Sequence, residues 1–468
     1  MSEVVLIKTA PERILQGQWY HMPLLSLGYL AAVLERNGVE VTIIDAQFER
    51  LTLAQTVDRA RETGATIFGI TAMTHEVRRA HEVAAAIKEA MPDATIVIGG
   101  PHATALPIKT MEDFPAFDYL VIGEGEATIV ELISALKQSG ELDGVKGLAF
   151  RKNGRIVVNE ERGWIEDLDS LPFPAWHLYP QAKAYPIFTA RGCPFKCAFC
   201  MRVLGTKVRY RSTQNIVNEI QWLSENFHPS RFVAQDETFT MNLRRAHNVA
   251  DSIIEQGLHK QMKWDIQTRV DLADYNIFRR LREAGCDLVG LGIESGNDTI
   301  LQRIGKGVTV EQAKKAVFAA KKAGLMTSAY YIIGHPNETR DDILKTIAFA
   351  TKLNTTEVVF GLMVPYPGTE IYQMAINRQG GYKVISGDWS DFDKHLGNAL
   401  ELENLNRRSM ELLQVRAYLT FYIKNLRIFD LLRYAFEKRK AILYMVYKIL
   451  FVRHGRSIVH NEAKLQEG

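Results

Sequence analysis

The chain has 468 residues, 47% of them hydrophobic and 24% charged, with a net charge of +3, the balance of a globular protein of two or three domains with large apolar cores. So mild a charge gives no reason to expect nucleic acid as a partner. Four cysteines, three of them clustered, offer no disulfide framework and suit a reducing cytosol. No apolar run reaches the roughly 18 to 20 residues of a spanning helix, and Met-Ser-Glu-Val-Val-Leu-Ile at the start lacks the pattern of a signal peptide. A cytoplasmic protein is expected.

Residues 1–140 alternate short apolar runs with amphipathic segments, the pattern of a parallel sheet with helices on its faces. Strands are predicted at 4–8, 41–45, 66–71, 95–99 and 119–122, and helices at 24–36, 53–62, 77–90 and from 126 to near 137. Ligands of such α/β folds lie at the carboxyl ends of the strands. Here those ends read Thr71-Ala72-Met73-Thr74, Gly99-Gly100-Pro101-His102-Ala103-Thr104 and Gly123-Glu124-Gly125-Glu126. Glycine lets a bulky ligand approach the backbone, and hydroxyls and helix N-termini donate to amide or phosphate groups. One such end reads as readily as a tight turn; three together favour a site. No G-x-G-x-x-G follows the first strand, so a redox dinucleotide is not indicated.

Residues 141–185 read as a linker, with a hairpin around Lys152-Asn153-Gly154 and a run in which Pro172 and Pro174 resist helix and central strand. Phe173 and Trp176 are read as packing residues within it. From 186 to 390 the alternation resumes. Strands at 187–190, 231–235, 263–270, 288–293, 328–333 and 357–364, with helices between them, predict a partial (β/α)6 barrel whose functional groups collect where the strands end. Beyond 391 only helices are expected. Residues 407–456 hold twelve Lys and Arg against three Asp and Glu, interleaved with apolar residues. Two readings stay open there: a helical cap with a solvated basic face, or peripheral contact with a membrane surface.

The first barrel strand runs into Arg191-Gly-Cys-Pro-Phe-Lys-Cys-Ala-Phe-Cys200. Three thiols within eight residues, Cys193, Cys197 and Cys200, can turn toward one centre, as a soft metal or cluster requires. A structural zinc would need a fourth ligand at matching spacing, and Cys286 sits far off and alone, read as a buried inert thiol. Three thiolates on a cubane leave one iron open. The second strand ends in Asp236 and Glu237, able to accept from an ammonium group, with Asp236 the first choice. Arg269 on the third would pair with a ligand carboxylate or with Glu294 on the fourth. Tyr330, Tyr331 and Tyr366 are candidates for lining the site, although aromatic residues in strands are commonly core.

C-x3-C-x2-C with an aromatic residue, Phe199, directly before the last cysteine resembles the signature of the radical S-adenosylmethionine (SAM) enzymes. Residues 1–140 resemble the cobalamin-binding domain that precedes it in many of them, among them the anaerobic Mg-protoporphyrin ester cyclases and the hopanoid methylases. The resemblance implies a [4Fe–4S] cluster on Cys193, Cys197 and Cys200 with SAM on its open iron. It implies SAM contacts at Phe199, Asp236, Glu237, Arg269, Glu294, Ser295 and Pro365, and cobalamin contacts at Thr71, Thr74, Gly99, Gly100, Gly123, Glu124 and Gly125. The loop 9–22 lacks the D-x-H-x-x-G of the methionine-synthase type, which implies His-off cobalamin, with His21 not a ligand. The implied reaction is methyl transfer to an unactivated carbon of a small-molecule or lipid-like substrate, with an electron donor of ferredoxin or flavodoxin type. Cyclisation or oxidation, and a radical SAM reaction without cobalamin, are the alternatives. The tRNA methylthiotransferases share the signature but use additional N-terminal cysteines, and residues 1–192 contain none.

Overall fold

The structure, a computed structural model, describes residues 2–11, 22–138, 140–395 and 397–451. His21 and the basic residues past 451 lie outside them. Strands β1 (Val4–Lys8), β2 (Val41–Asp45), β3 (Ile67–Thr71), β4 (Thr95–Gly99) and β5 (Tyr119–Val121) form a parallel sheet in the order β2-β1-β3-β4-β5. Near-continuous apolar runs make these strands, because helices cover both faces. The register sets Asp45, Lys8, Thr71 and Gly99 side by side along one edge. That edge is the mouth of the first domain.

The stretch read as a linker carries more structure than expected. β6 (Leu148–Lys152) and β7 (Arg155–Val158) form an antiparallel hairpin that pairs onto β5, so the first sheet has seven strands. Asn153 and Gly154 both have positive φ, 53° and 76°, as a two-residue hairpin turn requires. Leu148, Ala149 and Phe150 join the core. Beyond the hairpin, Trp176 is fully buried and Ala175 N–H donates to Gly28 O at 3.0 Å. A Cβ at Gly28 would lie 2.9 Å from Pro174 Cβ, so a glycine lets this segment dock on the helix Leu25–Arg36.

The second sheet runs β8 (Ala184–Ile187), β11 (Arg231–Ala234), β12 (Lys263–Arg269), β13 (Cys286–Glu294), β14 (Met326–Ile333) and β15 (Glu357–Leu362), all parallel and in chain order, the open partial barrel. Between its first two strands lies an addition: β9 (Ala190–Arg191) pairs antiparallel with β10 (Arg209–Tyr210). Past β15, β16 (Tyr382–Val384) pairs with β17 (Leu400–Leu402), so the region after 391 is not helical throughout. The helices Arg407–Lys424, Ile428–Glu437 and Arg439–Phe451 follow. One apolar core joins residues of both sheets; a second, on the other face of the first sheet, takes in Val364, Tyr372, Trp389 and Phe392 from the barrel side. The two domains are therefore packed together through apolar contacts. Among the described residues no helix is long and apolar enough to cross a membrane.

Candidate active site

The cysteine loop is stretched across the gap between β9 and β10. Cys193 N–H donates to Gly205 O (3.1 Å), Ala198 N–H to Ile304 O (2.9 Å) and Ile371 N–H to Ala198 O (3.0 Å). A Cβ at Gly192, φ +97°, would lie 2.3 Å from Lys207 O, so only glycine turns the chain into the loop. Cys193 and Cys197 are half-buried, and Cys200 is reached by solvent. Protein still crowds Cys200 on most sides: burial pushes its pKa up to about 12, and Cys197 and Cys193 add to the shift. Burial also raises Cys197, against the pull of Lys306 and Arg269. Arg269 Nη1 is 3.8 Å from Cys197 Sγ, with its guanidinium 3.5 Å from the Phe195 ring centre, and Lys306 Nζ is 5.7 Å from the ring centre of Phe199. Three thiols with two cations against them form a donor set that suits an anionic thiolate cluster. Among the described residues no three His, Cys, Asp or Glu side chains close around a single ion.

The ends of the barrel strands surround this loop, and the structure sorts their candidates. Glu294 takes a left-handed φ of 69° at the end of β13, uncommon for a residue with a side chain. Its carboxylate accepts from Lys306 Nζ at 2.9 Å. A Cβ at Gly292 would fall 2.7 Å from Glu294 Oε1 and 3.0 Å from Lys306 Nζ, so a glycine leaves room for the pair. Arg269 does not pair with Glu294: it forks onto Asp271 (2.9 and 3.1 Å) and donates to Lys306 O (2.7 Å). Asp236, the first choice for an ammonium, is buried and taken. It accepts from Thr189 N–H (2.7 Å), Ala190 N–H (3.1 Å) and the Thr189 hydroxyl, joining the end of β11 to the β8–β9 link. Glu237 is the exposed carboxylate at that strand end, although the protein crowding it on its other sides raises its pKa. Ser295 is fully buried, its hydroxyl 3.1 Å from Thr346 Oγ1 and accepting from Asn297 N–H at 3.3 Å, so it seals a strand to a helix. Pro365 is buried in the loop after β15. In the same loop a Cβ at Gly368 would lie 3.5 Å from both Ala105 of the first domain and Met201 beside the cysteines, so this loop sits between the two.

At the mouth of the first domain, buried polar atoms stand without a partner among the described residues, among them Thr9 Oγ1, just past β1, and His102 Nδ1, just past β4. Buried polar atoms are rarely left so; a ligand's polar rim would satisfy them. A Cβ at Gly123, φ +76°, meets nothing within 4 Å. Gly100 is needed for a different reason, since a Cβ there would sit 2.8 Å from Ala72 O and from Thr71 Oγ1. Gly125 packs closely on Val121 and Leu30, and Thr74 is buried. Burial pushes the His102 pKa down to about 3, and its ring stands edge-on to Trp389 at 4.9 Å. Open space and unpartnered polar atoms at the strand ends fit a large amide-rimmed cofactor.

Glu124 belongs to something else. Its carboxylate accepts from Arg209 (2.7 Å), Arg191 (3.1 Å) and Ile165 N–H (2.8 Å), and Arg191 also reaches Glu126 at 2.7 Å. The Arg191 guanidinium lies 5.1 Å from the Tyr29 ring centre. Burial works to raise the Glu124 pKa, and the two arginines with the N–H outweigh it, leaving it below the ordinary carboxylate value. Arg191 and Arg209 are in β9 and β10, so this buried clasp fastens the first domain to the strands that bracket the cysteines. An expected cobalamin contact is thereby a domain tie.

Residues 187–350 match the radical SAM superfamily and residues 20–133 match a B12 binding domain. Over 411 residues the chain is 34% identical to an uncharacterized methyltransferase of Pyrococcus horikoshii, covering 86% of this chain and 88% of that one. The chain belongs to the cobalamin-binding radical SAM enzymes. It is also 30% identical to the anaerobic magnesium-protoporphyrin IX monomethyl ester cyclase of Rubrivivax gelatinosus, over 76% of this chain and 66% of the cyclase. The fold is shared with the radical SAM methyltransferase TsrM of Kitasatospora setae, with a TM-score of 0.72, 18% identity, and 89% and 91% of the two chains covered. This radical SAM enzyme uses a [4Fe–4S] cluster, SAM and cobalamin. Two of its notable groups escaped the sequence reading, Lys306 and the Arg209 arm of the clasp. For Lys306 a signal was there: it stands in Gly305-Lys306-Gly307, both glycines at positive φ, where a Cβ at Gly305 would come 2.9 Å from Lys196 O. Arg209 had none.

Proposed function

We propose that the enzyme transfers a methyl group to an unactivated carbon of a small-molecule or lipid-like acceptor, in the cytoplasm, with electrons from a ferredoxin- or flavodoxin-type donor. The observation that supports this reading is the Gly368 loop, which lies against both Ala105 of the first domain and Met201 beside the cysteines, where the two cofactors would be neighbours. Cys193, Cys197 and Cys200 would hold the cluster, with Arg269 and Lys306 offsetting its negative charge. Glu237 would accept from the SAM ammonium, and Phe199, Glu294 and Pro365 would border the same ligand. Thr71, Gly99 and Gly123 would border the corrin, and the absence of D-x-H-x-x-G from the loop 9–22 favours a His-off cobalamin. The bound cofactors supply a carbon radical and a transferable methyl group; the chain's own residues orient them and keep water out.

The cyclase identity favours a second reading, ring closure or oxidation without methyl transfer. Anaerobic reconstitution with iron, sulfide and hydroxocobalamin separates the two. Methyl transfer yields S-adenosylhomocysteine beside 5′-deoxyadenosine, and ring closure yields only the latter. About four irons per chain with bound corrinoid are expected. Cys197→Ala should lose the iron and the deoxyadenosine but keep the corrinoid; iron without corrinoid binding would overturn the role of the first domain.

A further inference from the structure

The C-terminal helices leave an apolar surface in water. The helix Arg407–Lys424 packs one side on the barrel edge, where Phe360 N–H donates to Tyr418 Oη at 3.1 Å and Gln414 Nε2 donates to Phe360 O at 2.6 Å. Its other side exposes Leu419 and Ile423, and the turn after it exposes 88% of Leu426. The helix Ile428–Glu437 has no buried residue at all. Phe429, Leu432 and Phe436 recur at the i, i+3, i+7 spacing of one helix face, with Phe429 89% and Phe436 69% exposed. Tyr434, on another side, stacks on Tyr418 at 5.0 Å and holds the helix to the body of the protein.

Cations rim this stripe. Lys424, Arg439 and Lys440 are exposed, and the Arg439 guanidinium lies 4.6 Å from the Phe436 ring centre. A cation held over the face of an exposed aromatic ring suits a boundary between apolar and aqueous phases. Residues 424–440 hold six Lys and Arg against two acids, Asp430 and Glu437. A second copy of the same surface would meet it with the same charge, which disfavours self-association. An anionic bilayer accepts both the apolar stripe and the cations with no fixed register.

We propose that these helices dock the enzyme on an anionic membrane surface, with Phe429, Leu432 and Phe436 entering the acyl boundary and Lys424, Arg439 and Lys440 meeting lipid phosphates. The docking does not depend on which reaction the enzyme performs, and its test is read without turnover. The full-length, reconstituted enzyme is floated with phosphatidylcholine vesicles, with and without phosphatidylglycerol. It should float with the anionic vesicles, release in part at high salt, and bind the neutral ones weakly. Phe429→Ser/Leu432→Ser/Phe436→Ser should lower the bound fraction by about tenfold while 5′-deoxyadenosine formation in solution is unchanged. Lys424→Glu/Arg439→Glu/Lys440→Glu should do the same, and serves if the first variant folds poorly. No flotation of the wild type, binding that neither variant weakens, equal binding to neutral vesicles, or a dimer in light scattering that the serine variant dissolves would each overturn the proposal.

Discussion

Glu124 and Asp430 are each shared between two arginines, and their settings differ. Glu124 holds Arg191 and Arg209 where all three side chains are 2 to 4% exposed. Asp430 holds Arg427 and Arg433 with side-chain exposures of 33, 20 and 70%. The first trio lies between the cobalamin-binding domain and the strands that bracket the cysteines; the second lies on the exposed C-terminal helices. A buried charge deprived of its partner has no water to turn to, whereas an exposed one does. The same motif therefore fixes a geometry at the junction and only tunes surface charge at the periphery. Charge compensation at the junction also continues inward, since Arg211 pairs with the buried Glu219 beside it.

The largest effect on stability is expected at the junction. Glu124→Ala leaves Arg209 with carbonyl partners only and Arg191 with Glu126 alone, in a place closed to water, and should cost about 3 kcal/mol, read as a fall in the denaturant midpoint of the whole chain. Because Arg191 leads into the cysteine loop, the variant should also lose iron faster than the wild type on dilution. A change in the midpoint no larger than that of a surface substitution would mean the apolar cores alone hold the domains together.

How much of this was readable beforehand divides along the same line. The strands at 4–8, 41–45 and 95–99 and the six strand runs of the barrel follow from local periodicity, because each run carries its own apolar pattern. The cysteine loop was equally plain, being three residues of one rare type in one stretch. The hairpin turn at Asn153-Gly154 was visible, but not that the hairpin would add to the first sheet, because strand pairing is decided by partners distant in sequence. The same holds for the clasp: Glu124 and Arg209 are 85 residues apart. Asp236 was the first choice and Glu237 the second for an ammonium group, and that Asp236 is buried and Glu237 exposed was not legible, since past the end of β11 the strand alternation no longer says which neighbour turns inward. Helices alone were expected past 391, and the short pairing of Tyr382–Val384 with Leu400–Leu402 is too brief to show a period.

Between the two extremes stands a buried acid held without an ion pair. Glu338 accepts from Gly334 N–H at 2.7 Å and His335 N–H at 3.1 Å, and burial pushes its pKa up to about 8. The folded chain thus holds this proton more tightly than the unfolded one. The stability it contributes is complete below the ordinary value near 4.5 and is lost as pH rises through about 8. Glu338→Gln cannot titrate, so wild type should lose about 3 kcal/mol relative to it between pH 5 and pH 8, measured by denaturant midpoints at the two values. Parallel curves would place a compensating cation at Glu338.

The smallest effect is expected at the exposed trio. Arg427 keeps its bonds to Thr355 O and Thr356 O when Asp430 is removed, and Arg433 turns to water. Asp430→Ala should therefore change stability by less than about 1 kcal/mol, against several for Glu124→Ala. Its visible consequence is electrostatic. Removing one of the three acids from the basic segment raises the local net charge, so the variant should bind phosphatidylglycerol vesicles more tightly than the wild type and release at higher salt. A stability loss as large as that of Glu124→Ala would show that the helix Ile428–Glu437 is held by its ion pairs rather than by the stacked Tyr418 and Tyr434, and that exposure does not separate the two trios.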